Sequence, residues 1–461
     1  MNVRTNLKRA VRTHLRISLF LFMTASVILP AYRSGNPVRP NVILLIVVDT
    51  LRADHMSTYG YFRQTTPRID ALSRESIVFK NAVAQAPWTT PSIASLFTSQ
   101  DPAALGFEGE DPVELDDSFV TLAEVFRDNG YKTQAVVSHD FIGTKLKFNK
   151  GFDSFDQSNA KGYGHISSPA VTKAALSFVE QHARDRFFLF LHYFDPHFDY
   201  VLHPEFDYDP DYRGSIRSGE FKDSLLAKAA TMTEKDRNHL KALYDSEISF
   251  TDEYIGRFLD ELKRLGLYDS SLIVLTADHG EEFSERGDHW IGHTKKLYQD
   301  LIHVPLIIKL PDGAARRTVE DDVGLIDVMP TIVGHLALET PRSYRCEGRS
   351  LDLNGNAPPE PRPIFSETRR LAKLQSVVWK GWKLIYDLRR GSQELYDLND
   401  DPEETRNLAA ANPRERDELR AFLWSWRAEI ARLRAGIKVE PKRPIFNDVE
   451  HARLRSLGYI K

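Results

Sequence analysis

The sequence predicts an α/β protein with a large, mixed, mostly parallel sheet sandwiched by helices, followed by a smaller C-terminal antiparallel sheet with a helix. Continuous apolar runs rich in Val and Ile recur up to about Leu310, as in strands buried on both faces of a parallel sheet. Segments with helical periodicity alternate with these runs. After about Tyr344 the strands become short and are joined by tight turns, which indicates an antiparallel sheet.

The first strand is predicted in NVILLIVVDT, from Asn41 to Thr50, and it ends in the acid Asp49. Later strands of the large sheet are predicted in KTQAVVSHD, RFFLFLHYFDPH, SLIVLTADHG and HVPLIIKL, with helices such as Ser118 to Asn129 and Lys235 to Leu265 between them. The small sheet is predicted in RPIFSETRR, LQSVVWKG, WKLIYDLRR and SQELYDL, and the C-terminal helix from Pro413 to Leu433. We therefore divide the chain into an N-terminal segment (1–39), a catalytic α/β domain (40–345) and a C-terminal subdomain (346–461).

Composition excludes several classes of protein. A formal charge of −4 over 461 residues, with no basic run beyond the N-terminus, argues against a nucleic-acid partner. The single cysteine, Cys346, allows neither a disulfide framework nor a thiolate metal site. Any metal site must therefore use Asp, Glu and the 15 histidines.

The N-terminus has the layout of an export signal. Five cations precede an apolar run from Ile17 to Tyr32, and no acid stands among them. No small-residue cleavage site is clear, which favours an uncleaved anchor over a cleaved peptide. We expect an exported chain, periplasmic or at the cell surface, attached to the membrane by this segment. The cations are Arg4, Lys8, Arg9, Arg12 and Arg16.

Two predicted strands end in acids. Asp49 follows VILLIVV, and the pair Asp278-His279 follows LIVLTA. If the strands are neighbours, oxygen and imidazole donors converge at the carboxyl edge of the sheet, where ligands gather in open α/β folds. Taken singly, a strand-terminal Asp is more often a helix cap, and an Asp-His pair is common in loops.

Six segments together resemble the sulfatase family of the alkaline phosphatase superfamily, in the family's order and over some 370 residues. The resemblance implies the fold predicted above and a hydrolase of phosphoric or sulfuric esters. The segments are PNVILLIVVDTLRADHMSTYGY, TPRIDALSRESIVFKNAVAQAPWTTPS, LTADHGEEF, GHTKKLYQDLIHVPLII, LIDVMPTIVGHLAL and ELYDLNDDPEETRNLA.

The family's nucleophile motif aligns with residues 89–98 and places Thr89 at the nucleophile. Thr89 replaces the Cys or Ser that becomes formylglycine in sulfatases, so this modification is not expected here. Ile93 replaces the motif's Arg. On the local sequence alone, Thr89 is equally well explained as a helix N-cap. The positions that fit the motif are Pro91, Ser92, Leu96 and Thr98.

The resemblance also implies one divalent metal ion, which could be Ca, Mn, Zn or Mg. Its ligands would be Asp49, Thr89, Asp278 and His279, as in the threonine-using relatives. Thr50 stands where many sulfatases have a second Asp, which favours a single ion with few carboxylates.

Basic residues complete the predicted site. His197, His293 and Lys295 stand where sulfatases hold the ester's oxygens and protonate the leaving group. His139, after a strand, and Ser92 are predicted to contact the substrate, although His139 lacks the Lys that often accompanies it in the family. Lys295 is equally well explained as a solvated loop residue.

The resulting hypothesis is a hydrolase of phosphoesters or phosphodiesters that forms a covalent ester on Thr89. Three alternatives stay open: a sulfuric ester hydrolase, a phosphoethanolamine or phosphoglycerol transferase, and a silent relative that only binds anions. The expected substrate is an anionic ester of a glycan, a lipid head group or a small molecule.

Overall fold

The computed structural model describes residues 39–107, 109, 111–162, 165–355, 361–436 and 442–447, and from Arg39 onward they belong to one compact unit. The predicted export signal lies outside these residues. Within the described ranges, no helix has both the length and the apolar character needed to cross a bilayer.

Fourteen strands and nine α-helices are found among the described residues. The strands are β1 Val42–Val48, β2 Ile77–Val83, β3 Lys132–Val136, β4 Ser154–Asp156, β5 Phe187–Tyr193, β6 Leu272–Ala277, β7 Glu282–Phe283, β8 Ile291–Gly292, β9 His303–Lys309, β10 Arg317–Gly324, β11 Ile364–Thr368, β12 Leu374–Trp379, β13 Trp382–Asp387 and β14 Gln393–Asp397. The helices are α1 Pro67–Ser73, α2 Thr89–Thr98, α3 Leu122–Asp128, α4 Ser168–His182, α5 Lys222–Ala229, α6 Glu234–Arg264, α7 Gln299–Ile302, α8 Val328–His335 and α9 Pro413–Gly436.

Eight strands form the large sheet in the order β10-β2-β9-β6-β1-β5-β3-β4. Only β9 runs antiparallel to its neighbours, β2 and β6, and the other paired strands are parallel. The predicted fold class, a mixed and mostly parallel sheet with a separate small antiparallel sheet, is therefore confirmed.

Strand β1 lies at the centre of this sheet, between β5 and β6. All seven of its residues are buried, since it is covered on both faces, and this explains its unbroken apolar sequence. Val48, its last residue, is in register with Tyr193 of β5 and with Ala277 of β6. The residues that follow these three strands therefore meet at one edge.

The small sheet is a meander of β11 to β14 covered by α9. Leu419, Leu423, Trp426 and Ile430 form a buried stripe at helical spacing on α9. The ring of Trp426 stacks on Phe365 of β11, and its Nε1 donates a hydrogen bond to Asp101. The C-terminal helix is thereby fastened to a loop of the α/β part of the chain.

Strand β11 also contacts the chain that leads into α2. The hydroxyl of Ser366 donates to the carbonyl of Ala84 (2.7 Å), and the amide of Glu367 donates to the carbonyl of Gln85 (2.9 Å). The small sheet therefore braces the segment that precedes Thr89.

Candidate active site

The carboxyl edge of the large sheet carries two buried acids, Asp49 after β1 and Asp278 after β6. The amide of Asp49 donates to the carbonyl of Tyr193 (2.8 Å), which continues the β1–β5 ladder and fixes the backbone of Asp49. Its side chain is fully buried, and neither carboxylate oxygen accepts a hydrogen bond from the described residues. Burial raises the pKa of Asp49 well above its usual range, and the negative charge of Asp278 raises it further. A buried carboxylate of this kind calls for a cation.

His279 turns one ring nitrogen towards these acids. Its Nδ1 lies 2.9 Å from the carbonyl of Gly280, an acceptor, so the proton belongs on Nδ1 and Nε2 carries a lone pair. Nε2 lies 3.3 Å from the hydroxyl of Thr89, 3.4 Å from Oδ2 of Asp278 and 3.7 Å from Oδ1 of Asp49.

These separations fit a metal site. Two donors on one tetrahedral ion, each about 2.1 Å from it, are about 3.4 Å apart. Oδ2 of Asp278, like both oxygens of Asp49, accepts no hydrogen bond from the described residues. Asp49, Asp278 and His279 also offer ligand atoms within 4.8 Å of one another. The structure thus brings together the four predicted ligands, and their chemistry fits one divalent ion.

Thr89 is the first residue of α2, a helix whose ten residues are all buried. The loop before it is held by the amide of Thr294, which donates to the carbonyl of Pro87 (2.9 Å). The hydroxyl of Ser92, one turn along α2, donates to the carbonyl of Asp278 (2.6 Å). Ser92, predicted to contact substrate, is therefore engaged in joining the helix of the predicted nucleophile to a predicted metal ligand.

Three further predicted residues, His139, His197 and His293, lie around the same point and are all buried. The His197 ring centroid is 5.0 Å from that of His293 and 5.7 Å from that of His139. Nδ1 of His139 accepts a hydrogen bond from the amide of Phe141 (3.0 Å), so its proton belongs on Nε2. His139 is thus arranged to donate a hydrogen bond, as a substrate contact requires. Burial lowers the pKa of His139, His197 and His293 well below the usual range.

His192 belongs to the site but was not singled out from the sequence. Its Nε2 lies 3.6 Å from Oδ2 of Asp49, whereas Nε2 of His279 lies nearer to the other oxygen, Oδ1. Burial lowers the pKa of His192 to about 4. The sequence signal was a lone histidine near the end of an otherwise apolar strand, FFLFLHY, which a structural core histidine explains equally well.

Glu281 is a second residue that sequence reasoning missed. Its Oε1 lies 3.0 Å from Nδ1 of His293, and both side chains are buried. A carboxylate at Nδ1 fixes the orientation of an imidazole and leaves Nε2 for the reacting group. Burial raises the pKa of Glu281 well above its usual range. LTADHGEEF contains two neighbouring acids, and spacing alone does not tell which of them faces His293.

The predicted catalytic lysine, Lys295, is half-buried, with Nζ 4.8 Å from the ring centroid of Trp290. Its neighbour Lys296 pairs with Glu282 and Asp288. Two other cations lie close enough to act on the buried histidines, Lys222 on His293 and Arg370 on His139. Nζ of Lys222 lies 4.7 Å from the ring centroid of Phe198, and Cζ of Arg370 lies 4.9 Å from that of Trp88.

A second acidic group, made by Glu282, Glu285 and Asp300, could also be taken for a metal site. Each of these acids already has a cationic partner: Lys296 for Glu282, Arg52 for Glu285 and Arg286 for Asp300. Their charges are therefore balanced within the protein, unlike those of Asp49 and Asp278.

The sheet and the residues at its carboxyl edge define the chain as a hydrolase of the alkaline phosphatase superfamily. The chain belongs to the sulfatase family: the family model described as sulfatase matches residues 40–338. A second model, described as the C-terminal part of N-sulphoglucosamine sulphohydrolase, matches residues 287–429.

Relatives in the family differ in the esters that their names describe. An ulvan-active sulfatase of Formosa agariphila is 26% identical over 358 residues, which cover 71% of this chain and 67% of that protein. A multifunctional alkaline phosphatase superfamily protein of Trinickia caryophylli is 26% identical, covering 67% of this chain and 76% of its own. The crystal structure of a phosphonate monoester hydrolase of Agrobacterium radiobacter superposes with a TM-score of 0.68 at 21% identity, covering 85% and 96% of the two chains.

Proposed function

We propose that the chain hydrolyses phosphoesters or phosphodiesters through a covalent ester on Thr89. The observation that carries the proposal is the position of the Thr89 hydroxyl, 3.3 Å from Nε2 of His279 and at the start of a buried helix. Asp49, Asp278 and His279 would hold a divalent ion beside this hydroxyl. When bound, such an ion lowers the pKa of a hydroxyl and offsets the charge of an anionic ester.

The start of α2 suits the reacting anion. Amide groups at a helix N-terminus favour a negative group, and the β-branched side chain of Thr89 has few rotamers, so its oxygen is well aimed. In the first step, the Thr89 hydroxyl releases its proton to solvent as its oxygen bonds to phosphorus, and the bond from phosphorus to the leaving oxygen breaks as His293 protonates that oxygen. In the second step, water gives a proton back to His293 as it bonds to the same phosphorus, and the Thr89 oxygen leaves and takes up a proton from solvent.

The leaving alcohol needs a proton, and a protonated His293 would provide it. Burial disfavours the charged ring in the free chain, whereas the negative charge of a bound ester would favour it. Nδ1 of His293 is held by Glu281 at 3.0 Å, and the ring centroids of His293 and His279 are 4.5 Å apart. His197, whose ring contacts that of His293, can bind the ester's oxygens or share this role. A positioned acid of this type contributes about 100-fold to 10,000-fold to the rate.

Thr89 favours phosphorus over sulfur chemistry. A formylglycine hydrate can release its ester by collapsing to an aldehyde, whereas a threonine ester leaves only through attack of water on the central atom. In-line attack at phosphorus beside a metal ion is an established route to such release. The fold admits either ester, since a phosphonate monoester hydrolase shares it and the ulvan-active sulfatase is a relative, so the choice rests on Thr89 and sulfuric esters stay the second candidate.

The test is hydrolysis of matched nitrophenyl sulfate, phosphate and phosphodiester substrates by the chain loaded in turn with Mn, Zn, Ca or Mg. We expect turnover of a phosphorus ester and its loss in Thr89→Ala. Thr90→Ala is the matched control, because the Thr90 hydroxyl donates to the carbonyl of Phe141 instead. Sulfate turnover alone would favour the second candidate, and turnover that survives Thr89→Ala would contradict the nucleophile.

A further inference from the structure

The family's nucleophile motif carries an arginine where this chain has Ile93. Ile93 is fully buried on α2 and provides no charge beside Thr89. A different arginine, Arg370, lies in the loop after β11, and only 5% of its surface is exposed. Its position beside the segment that precedes Thr89 calls for an explanation.

Hydrogen bonds fix the chain around Arg370 both to the segment that precedes Thr89 and to the loop beside His293. Ser366 and Glu367 bond to residues 84 and 85, which lead into the nucleophile helix. The hydroxyl of Thr368 donates to the carbonyl of Thr294 (2.6 Å), next to His293, and the amide of Thr294 donates to the carbonyl of Pro87. Arg370 therefore stands in a fixed relation both to Thr89 and to His293.

The guanidinium group of Arg370 lies against two aromatic rings. Its Cζ is 4.9 Å from the ring centroid of Trp88, the residue directly before Thr89, and 5.6 Å from that of Phe141. The Phe141 ring in turn stacks on His139, with centroids 5.4 Å apart. A guanidinium that stacks on rings donates hydrogen bonds from its edge, in a planar fork that matches two oxygens of one anion.

The loop departs from ordinary backbone geometry directly after Arg370. Leu371 has a φ of 58°, in the left-handed region that a leucine rarely adopts, and its side chain is 48% exposed. A conformation of this kind is strained for a leucine and persists only where the surrounding structure holds it. Here it separates the exposed Leu371 from the buried Arg370.

We propose that Arg370 binds the non-bridging oxygens of the substrate's tetrahedral anionic group, and so supplies beside Thr89 a positive charge that Ile93 does not provide. The proposal rests on the proposed function of the site. It assigns a substrate contact to the C-terminal subdomain, whose β11 positions Arg370. It also commits the pocket to a tetrahedral oxyanion, whether phosphoric or sulfuric.

Binding of orthovanadate to the full chain loaded with Mn²⁺, measured by titration calorimetry, tests the proposal without turnover. We expect Arg370→Gln to weaken binding by about 100-fold, because one charged, bidentate contact to the anion is lost. Arg370→Lys keeps the charge and loses the fork, so an intermediate affinity is expected. Arg369→Gln is the control: Arg369 pairs with Glu367 and lines a separate cavity beside Trp426.

Chemical rescue by free guanidinium distinguishes a direct contact between Arg370 and the anion from a structural role of Arg370. Free guanidinium should restore vanadate binding to Arg370→Ala and leave Arg369→Gln unchanged. If Arg370→Gln fails to fold, the vanadate affinity of Arg370→Lys and the rescue of Arg370→Ala by free guanidinium test the contact instead. Equal affinities in the wild type and Arg370→Gln would overturn the proposal, as would a wild-type chain that binds no vanadate.

The outcomes also separate this inference from the proposed function. Vanadate affinity that depends on Arg370 in a chain without ester turnover would retain the inference and reject the function. Ester turnover with a kcat/KM that is unchanged in Arg370→Gln would retain the proposed function and reject the substrate contact of Arg370.

Discussion

The hydroxyl oxygen of Thr89 and Nε2 of His279 lie 3.3 Å apart, and Nδ1 of the same ring lies 2.9 Å from the carbonyl of Gly280. The carbonyl fixes the tautomer, so the lone pair of His279 faces the hydroxyl. Oδ1 of Asp49 and Oδ2 of Asp278 face the same nitrogen, and neither oxygen accepts a hydrogen bond from the described residues. This relationship between the predicted nucleophile and the predicted metal ligands underlies the predictions below.

Metal content should depend on Asp49, whose carboxylate oxygens accept no hydrogen bond from the described residues. We expect Asp49→Ala and His279→Ala to lower bound divalent ion from about one per chain to well below that, because each removes a ligand of a site with few donors. Elemental analysis after dialysis measures the content, and chelation should lower the unfolding temperature of the wild type only. Asp54→Ala is the control, since Asp54 is half-exposed and paired with Arg52. Full metal content in Asp49→Ala would contradict the site.

The Glu281 carboxylate should matter most when the leaving alcohol is a poor one. Glu281→Gln loosens His293, so we expect kcat/KM to fall by about 100-fold for alkyl esters and far less for nitrophenyl esters, whose leaving groups need little protonation. A series of leaving groups of graded pKa measures the slope. Glu282→Gln is a matched neighbour, because Glu282 pairs with Lys296 rather than with a histidine. A loss of equal size for every leaving group would reject His293 as the acid.

Stability should fall as the pH rises, because of two carboxyls that are not among the predicted metal ligands, the buried Asp101 and the half-buried Glu347. Burial raises the pKa of Asp101 to about 7, and burial with the neighbouring Asp101 raises that of Glu347 to about 8. The folded pKa exceeds the unfolded one, so between the two values the unfolded chain releases protons that the folded chain keeps. The stabilisation is complete at acid pH and is lost as the pH rises through the folded values.

Glu347→Gln should reduce this loss by on the order of 1 kcal/mol between about pH 6 and about pH 9, because one of the two acids no longer ionises. Urea unfolding at both pH values gives the free energies. Glu339→Gln, at an exposed position, should leave the difference as it is in the wild type. An unchanged pH dependence in Glu347→Gln would show that the pair does not have the raised pKa values.

The elements that the sequence predicted best are those with strong local signals. β1, β5 and β6 are apolar runs, and Asp49 and Asp278 directly follow the last residues of β1 and β6, which are in register with each other. β2 and β10 were not assigned. β2 contains Lys80 and Asn81, and β10 is an edge strand with acids on its half-exposed positions, so neither shows the pattern of a central strand.

The residues of the candidate site also differ in how strongly the local sequence predicts them. Thr89, Asp49 and the Asp278-His279 pair stand in short motifs, so their positions could be read from the chain. Arg370 and Lys222 come from a loop and a helix start that only the tertiary fold brings to the pocket, and no spacing rule links them to Thr89. The predicted export signal and the division at residues 345 and 346 stay predictions.

The covalent ester on Thr89 can be trapped by acid and located by mass spectrometry. The metal-loaded chain would be mixed with a phosphodiester, quenched in acid within the first turnover, digested and examined by tandem mass spectrometry. We expect a phosphoryl group on Thr89 of the wild type, and no adduct and no turnover in Thr89→Ala. A phosphoryl group on another residue, or turnover by Thr89→Ala at the wild-type rate, would contradict it.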